Sequence, residues 1–202
     1  MNAPDQKAIL HRYLISARDA LLWKLDGLDD YAVRRPMTPT GTNLLGLVKH
    51  VASVTDGYLG AVMGRPSGIA LPWFPEDPAQ EVPNADLWVP ADESREFIVD
   101  LHHQVAANSD ATIEALDLDA VGEVPWWGDR GQVTLHQVLV HVIAETQRHA
   151  GHADIIRELI DGSVGIGEGM DNMWAGEGED YWEEHRRQIE AAARQAQESA
   201  GS

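Results

Sequence analysis

The sequence predicts an all-α protein, an up-down four-helix bundle with a long Pro/Trp-rich crossover loop and a short C-terminal tail helix. Three observations carry this expectation. Four segments place apolar residues at helical spacing, and no run combines alternation with β-branched residues. Capping residues and glycines also punctuate the segment ends. Four helices of roughly 20–28 residues each are the natural material of a bundle.

The first segment runs from about Asp5 to Leu25, with Leu10, Tyr13, Leu14, Ala17, Leu21 and Leu25 on one face. The second follows Thr40-Gly-Thr42 and carries Leu44, Leu47, Val48, Val51, Val54, Tyr58 and Val62 until Gly64-Arg-Pro66 stops it. The third begins near Asp92, with Phe97, Ile98, Leu101, Val105, Ile113 and Leu116. The fourth starts at Thr134, whose hydroxyl and Gln137 form a capping box, and ends at Asp161-Gly162. Between the second and third lies a stretch from Gly64 to Pro90 holding six prolines with Trp73, Phe74 and Trp88. Loops of this length in a compact domain are functional or disordered, and these aromatics favour an ordered crossover packed on the bundle. A second connection, Asp117 to Val133, contains Pro125-Trp126-Trp127-Gly128. The expected organisation is a bundle over residues 1–162, then an acidic, glycine-rich linker and a tail helix of about Tyr181–Gln197 within 163–202. The chain shows no internal repeat and no phosphate-binding glycine motif.

The chain has 202 residues, enough to bury a substantial core. Its formal charge of −18 argues against nucleic acid, whose binding needs clustered Lys and Arg, and against docking on anionic membrane. No stretch approaches the ~20 apolar residues of a membrane span, and the N-terminus lacks a signal-peptide pattern, so a cytoplasmic location is expected. There is no cysteine, so any metal must be held by His and carboxylates, and any thiol must come from outside.

The most informative stretch is His141-Val-Ile-Ala-Glu145-Thr-Gln-Arg148-His149-Ala-Gly-His152. Side chains three or four residues apart share a helix face, so Glu145, His149 and His152 line one side, with His141 a turn before. At ~100° per residue His149 falls near the middle of the apolar stripe and Glu145 near its edge. A carboxylate facing a core is costly unless paired, protonated or bound to a cation, and a metal ion is the economical partner. A catalytic zinc site wants three protein ligands and an open position. The third ligand must come from a facing helix: His50, or one of the adjacent pair His102 and His103. His50 is favoured, flanked by Leu47, Val48, Val51 and Val54. A lone inward histidine is otherwise an ordinary hydrogen-bonded core residue. Candidate helpers are His152 as proton shuttle and Arg148 or Arg157 as anion clamp; each also reads as a surface group. Trp73, Trp88, Trp126 and Trp127 read as packing.

Three runs also carry a resemblance. Thr38-Pro-Thr-Gly-Thr-Asn-Leu-Leu-Gly-Leu-Val-Lys-His50, then Trp126-Trp127 followed by Val133-Thr-Leu-His-Gln-Val-Leu-Val-His-Val-Ile-Ala-Glu145, and above all Arg148-His-Ala-Gly-His152-Ala-Asp-Ile-Ile-Arg157-Glu-Leu-Ile-Asp-Gly162 resemble the DinB-like superfamily. More narrowly they are similar to its branch related to mycothiol-dependent maleylpyruvate isomerase. The likeness covers most of residues 5–162 and extends to Asp171-Asn172 and Tyr181-Trp182. It implies a four-helix bundle holding a divalent metal, commonly zinc or nickel, through His50, Glu145 and His149, with Glu145 matching the branch in which the second ligand is a glutamate. It implies a homodimer as well, and chemistry with mycothiol, bacillithiol or a related small thiol bound as thiolate.

The expected function is therefore a metal-dependent enzyme activating a low-molecular-weight thiol, mycothiol, for S-transfer to an electrophile or for thiol-assisted isomerisation. Zinc leads, with nickel and iron(II) also suited to His/carboxylate ligands. The alternatives are a hydrolase using metal-activated water and a non-catalytic, metal-stabilised dimeric binding protein.

Overall fold

A computed structural model of the chain describes residues 5–75, 77–171, 173 and 178–200. Four long helices build it: α1 (Gln6–Trp23), α3 (Leu44–Thr55, continued by a π-helical segment Asp56–Val62), α4 (Arg95–Ala115) and α5 (Leu135–Asp161). A short helix, α2 (Asp30–Arg34), follows α1, and a tail helix, α6 (Glu179–Ala200), ends the described chain. Each start has a chemical reason. The side chains of Asp5, Asp29, Asn43, Ser94 and Thr134 accept hydrogen bonds from otherwise unpaired first-turn amides. α5 stops at Gly162, whose φ of 79° is the left-handed conformation that glycine adopts without strain.

Contacts at the helix ends give the direction of each element. Lys7 Nζ donates to the Glu114 and Leu116 carbonyls, while Arg95 donates to the Leu25 and Leu28 carbonyls, so α1 and α4 run antiparallel. Lys49 pairs with Glu93 near the start of α3 and Arg65 meets Thr112 beyond its end, so α3 and α4 run parallel. His50 meets Glu145 while Tyr58 meets His141, so α3 and α5 run antiparallel. The up-down expectation is thus refined to up-down-down-up. Two parallel neighbours cannot be joined by a tight turn, which is the physical reason for the long crossover between α3 and α4.

That crossover is ordered against the bundle. Trp73 is buried, its indole N–H donating to Ser53 Oγ. Asn43 donates to the Leu87 carbonyl, and Lys49 to the Trp88 carbonyl and to Glu93. The Lys49 ammonium, only 1% exposed, also sits 3.9 Å from the centre of the Trp73 ring. A buried ammonium is tolerated because every one of these partners faces it.

The second connection corrects the absence of strands. Val121–Glu123 (β1) pairs antiparallel with Gln132–Thr134 (β2), in the register Val121↔Thr134, Gly122↔Val133, Glu123↔Gln132. Strands of three residues are too short for alternation to show in the sequence. Two residues assigned to apolar stripes, Tyr13 and Phe97, are exposed, as are Trp88 and Trp126 among the tryptophans read as packing.

The core divides into two apolar clusters. One gathers Leu21, Leu25, Leu45, Val48, Val51, Ile98, Leu101, Ala153 and Ile156, under the crossover. The other gathers Leu14, Tyr58, Leu59, Ile113, Leu135, Leu139 and Val142, beside the hairpin. α5 passes from one cluster to the other between Val142 and Ala150, and that interval contains Glu145 and His149. Contacts divide the chain into two units, Met1–Met170 and Asp171–Ser202. Within the first, the buried Lys24 ties residues beyond α5 to the bundle through the Gly165 carbonyl and pairs with Asp154. In the second, α6 is exposed and laced by pairs such as Arg194–Glu190. Expectations placed on Asn172 and on 174–177 lie outside the described residues. No helix among the described residues is long and apolar enough to cross a membrane.

Candidate metal centre

Helical spacing on α5 brings Glu145 and His149 together, and α3, antiparallel beside it, delivers His50. His149 Nε2 lies 3.0 Å from Glu145 Oε1, and His50 Nε2 lies 3.6 Å from the same oxygen. The two imidazole rings are 4.7 Å apart between centres and nearly perpendicular. One ligand atom from each residue lies within 4.8 Å of the other two. Atoms around a tetrahedral ion with bonds of about 2.1 Å are separated by roughly 3.4 Å, so small side-chain adjustments suffice to ligate one. Two imidazoles and a carboxylate are also the donor set that suits zinc in a catalytic setting. The residues present fit the group.

The electrostatics follow from partial burial. For His50, burial alone would depress the imidazolium, but Asp86 Oδ2 at 2.6 Å from Nδ1, together with Glu145, outweighs it and the pKa is raised. His149 goes the other way: burial and the neighbouring His50 lower it despite Glu145. Burial would raise the Glu145 carboxyl, but hydrogen bonding to His149 and His50 brings it below its ordinary value. Asp86 behaves likewise, burial being outweighed by His50, so its carboxylate is stabilised as the anion. Asp86 and Glu145 thus hold a proton on His50 more tightly than an ordinary imidazole would, while His149 gives its proton up more readily.

A cavity of about 520 Å³ opens beside His149. Its walls are Thr40 and Thr42 before α3, Asn84, Leu87 and Trp88 of the crossover, and His149 and His152 of α5. Trp88, 51% exposed, therefore serves as a wall of this cavity. The His152 ring lies 5.4 Å from that of His149, exposed at the rim. Arg148 is exposed one helical turn before His152 and has no partner among the described residues.

The remaining candidates lie elsewhere. His102 is buried on α4 and pushed down to about 3 by burial, then by Arg18 and His103. It takes no part in the cluster; of the three histidines weighed as the third member, it is His50 that lies with Glu145 and His149. Arg157 is no anion clamp. Its guanidinium is spent on Asp161 and on the Lys24 carbonyl, closing the ends of α1 and α5 together. His141 packs 4.6 Å from the Tyr58 ring and 5.1 Å from that of Trp127. Asp86 was not visible in the sequence. The crossover offers several acids, Asp77, Glu81 and Asp86 among them, and nothing local marks the one the fold lays against His50.

Fold and site together define a helical bundle in which His50, Glu145 and His149 converge as a group that could hold a metal ion, with His149 also lining a cavity. The mycothiol S-transferase family profile matches residues 9–162, and the chain belongs to this DinB-like family. A comparison with curated proteins finds no match. Among solved structures, the crystal structure of a conserved protein from Enterococcus faecalis is similar at 18% identity and a TM-score of 0.62, covering 80% of this chain and 100% of that one. At that identity the likeness concerns the fold alone.

Proposed function

We propose that this protein is a metal-dependent transferase that activates a small external thiol, mycothiol, and joins it through its sulfur to an electrophile. The observation carrying the reading is the convergence of His50, Glu145 and His149 beside an open cavity in a chain without cysteine. Family membership supports the thiol, and the donor set supports zinc, with nickel or iron(II) as substitutes.

A divalent cation held by His50, Glu145 and His149 would supply Lewis acidity, which lowers the pKa of a thiol bound to it. The chain's own residues do the rest. Glu145 offsets part of the cation's charge. The cavity between Trp88 and His149 receives the body of the thiol. His152 at the rim carries the thiol's proton to solvent, and Arg148, with its donors unspent, steadies an anionic group of the electrophile. The sulfur forms the new bond, and the electron pair leaves with the displaced group. Ile155 and Leu159, apolar and exposed on α5, support a homodimer in this reading, and light scattering tests it. The cytoplasm is the expected compartment.

The test is to load the protein with zinc and follow thiol loss with mycothiol and a model electrophile, using glutathione and cysteine as controls. Metal-dependent turnover with mycothiol, eliminated by His50→Ala, is expected. Equal rates with metal-free protein overturn the reading. Ester or amide cleavage without thiol consumption replaces it with a hydrolase, and neither activity, with the metal bound in a closed shell, replaces it with a binding protein.

A further inference from the structure

We infer that Asp86 is a positioning residue for the metal centre: it holds His50 in the orientation and tautomer that leave Nε2 free to bind a cation. The inference rests on the metal reading above. Its geometry is the 2.6 Å contact between Asp86 Oδ2 and His50 Nδ1. An imidazole has one donor and one acceptor nitrogen when neutral, so a carboxylate on Nδ1 makes Nδ1 the N–H and turns the lone pair of Nε2 outward. That same Nε2 lies 3.6 Å from Glu145 Oε1, and the His50 ring packs 4.7 Å from that of His149. A carboxylate behind a ligating histidine also raises its basicity as a donor.

Two further observations make this arrangement built. The carboxylate arrives on a loop that adjacent residues of one helix grip. Lys49, preceding His50, holds the Trp88 carbonyl and Glu93, while His50 itself holds Asp86. Asn43, capping the same helix, holds the Leu87 carbonyl between them. The backbone after Asp86 is thus held at 87, 88 and 93, so this part of the loop cannot lift from the helix without breaking contacts on a buried ammonium. The two histidines also differ. Among the described residues, His149 Nδ1 is buried with no hydrogen-bond partner, so the outer support falls on His50.

The experiment measures zinc affinity by competition with a chromophoric chelator for the parent, Asp86→Asn and Asp86→Ala, with circular dichroism and melting to establish that each is folded. Loss of a carboxylate behind a ligating histidine lowers affinity roughly 10–100-fold, so Asp86→Ala is expected in that range and the isosteric Asp86→Asn between it and the parent. Repeating Asp86→Ala in a His50→Ala background is expected to give no further loss, because the effect runs through His50. Nitrogen-15 NMR of the metal-free protein, with imidazole neutral, should show His50 as the Nδ1–H tautomer in the parent and the Nε2–H tautomer in Asp86→Ala. Zinc affinity of Asp86→Ala within twofold of the parent, an equal loss in the His50→Ala background, or an unchanged tautomer each overturns this inference alone. A parent that takes up no zinc overturns the function proposed above as well.

Discussion

Glu145 Oε1 stands 3.0 Å from His149 Nε2, one turn along the same helix, in a half-buried position. An imidazole and a carboxylate at that spacing share a proton when no cation is present and share a cation when one is. Glu145→Gln keeps the shape and removes the charge, so zinc affinity should fall by more than the roughly 10–100-fold typical of losing an outer partner. Chelator competition measures it, and affinity equal to the parent would show that Glu145 is not a ligand.

His149→Ala should abolish stoichiometric zinc binding yet leave a folded bundle. The apolar clusters on either side do not include His149. The expected cost is about 1–2 kcal/mol, or a fall in Tm of roughly 2–8 °C for a protein of this size. Metal analysis and thermal denaturation of the metal-free proteins separate the two effects.

Gly46 lies where the crossover touches α3, and a Cβ there would overlap the Leu87 carbonyl. Gly46→Ala should therefore push the loop outward, costing about 1–3 kcal/mol as overpacking does. Because Asp86 precedes Leu87, zinc affinity should fall with it. Urea denaturation and chelator competition on one variant test both, and a destabilised variant with parental affinity would show that the loop's place does not matter to the site.

His102 gives the fold a pH dependence of its own. Its folded pKa of about 3 lies below the ordinary 6.5, so between those values the unfolded chain binds the proton and the folded one does not. Stability from this residue is fully present above pH 6.5 and is lost as pH falls toward 3, on the order of 5 kcal/mol in all. Replacing it by Leu should flatten that part of the urea-midpoint profile relative to the parent. Parallel profiles for the two proteins would remove His102 from the acid limb.

Legibility in the sequence followed chain separation. Glu145 and His149 could be read because one helix carries both at fixed spacing. His50 could be preferred over His102 and His103 from its apolar neighbours, but that it lies beside Glu145 and His149 depends on how two distant helices pack. Asp86 depends on where a proline-rich loop returns to the bundle, which no local pattern encodes. α2 and the hairpin were too short for periodicity. Tyr13 and Phe97 show the opposite limit: helical spacing puts them beside buried neighbours, while their rings point past the edge of the stripe into solvent.

The two apolar clusters have a consequence for motion. Each end of the bundle has its own packed interior, and such interiors open as separate cooperative units in native-state hydrogen exchange. Glu145 and His149 on α5 occupy the junction between them, beside His50 of α3. A cation bound at that junction would staple the two helices where one unit gives way to the other, so neither end could open without straining the staple. Slow-exchanging amides should then extend across both ends of α5 in the loaded protein, and stop at the junction when the metal is stripped.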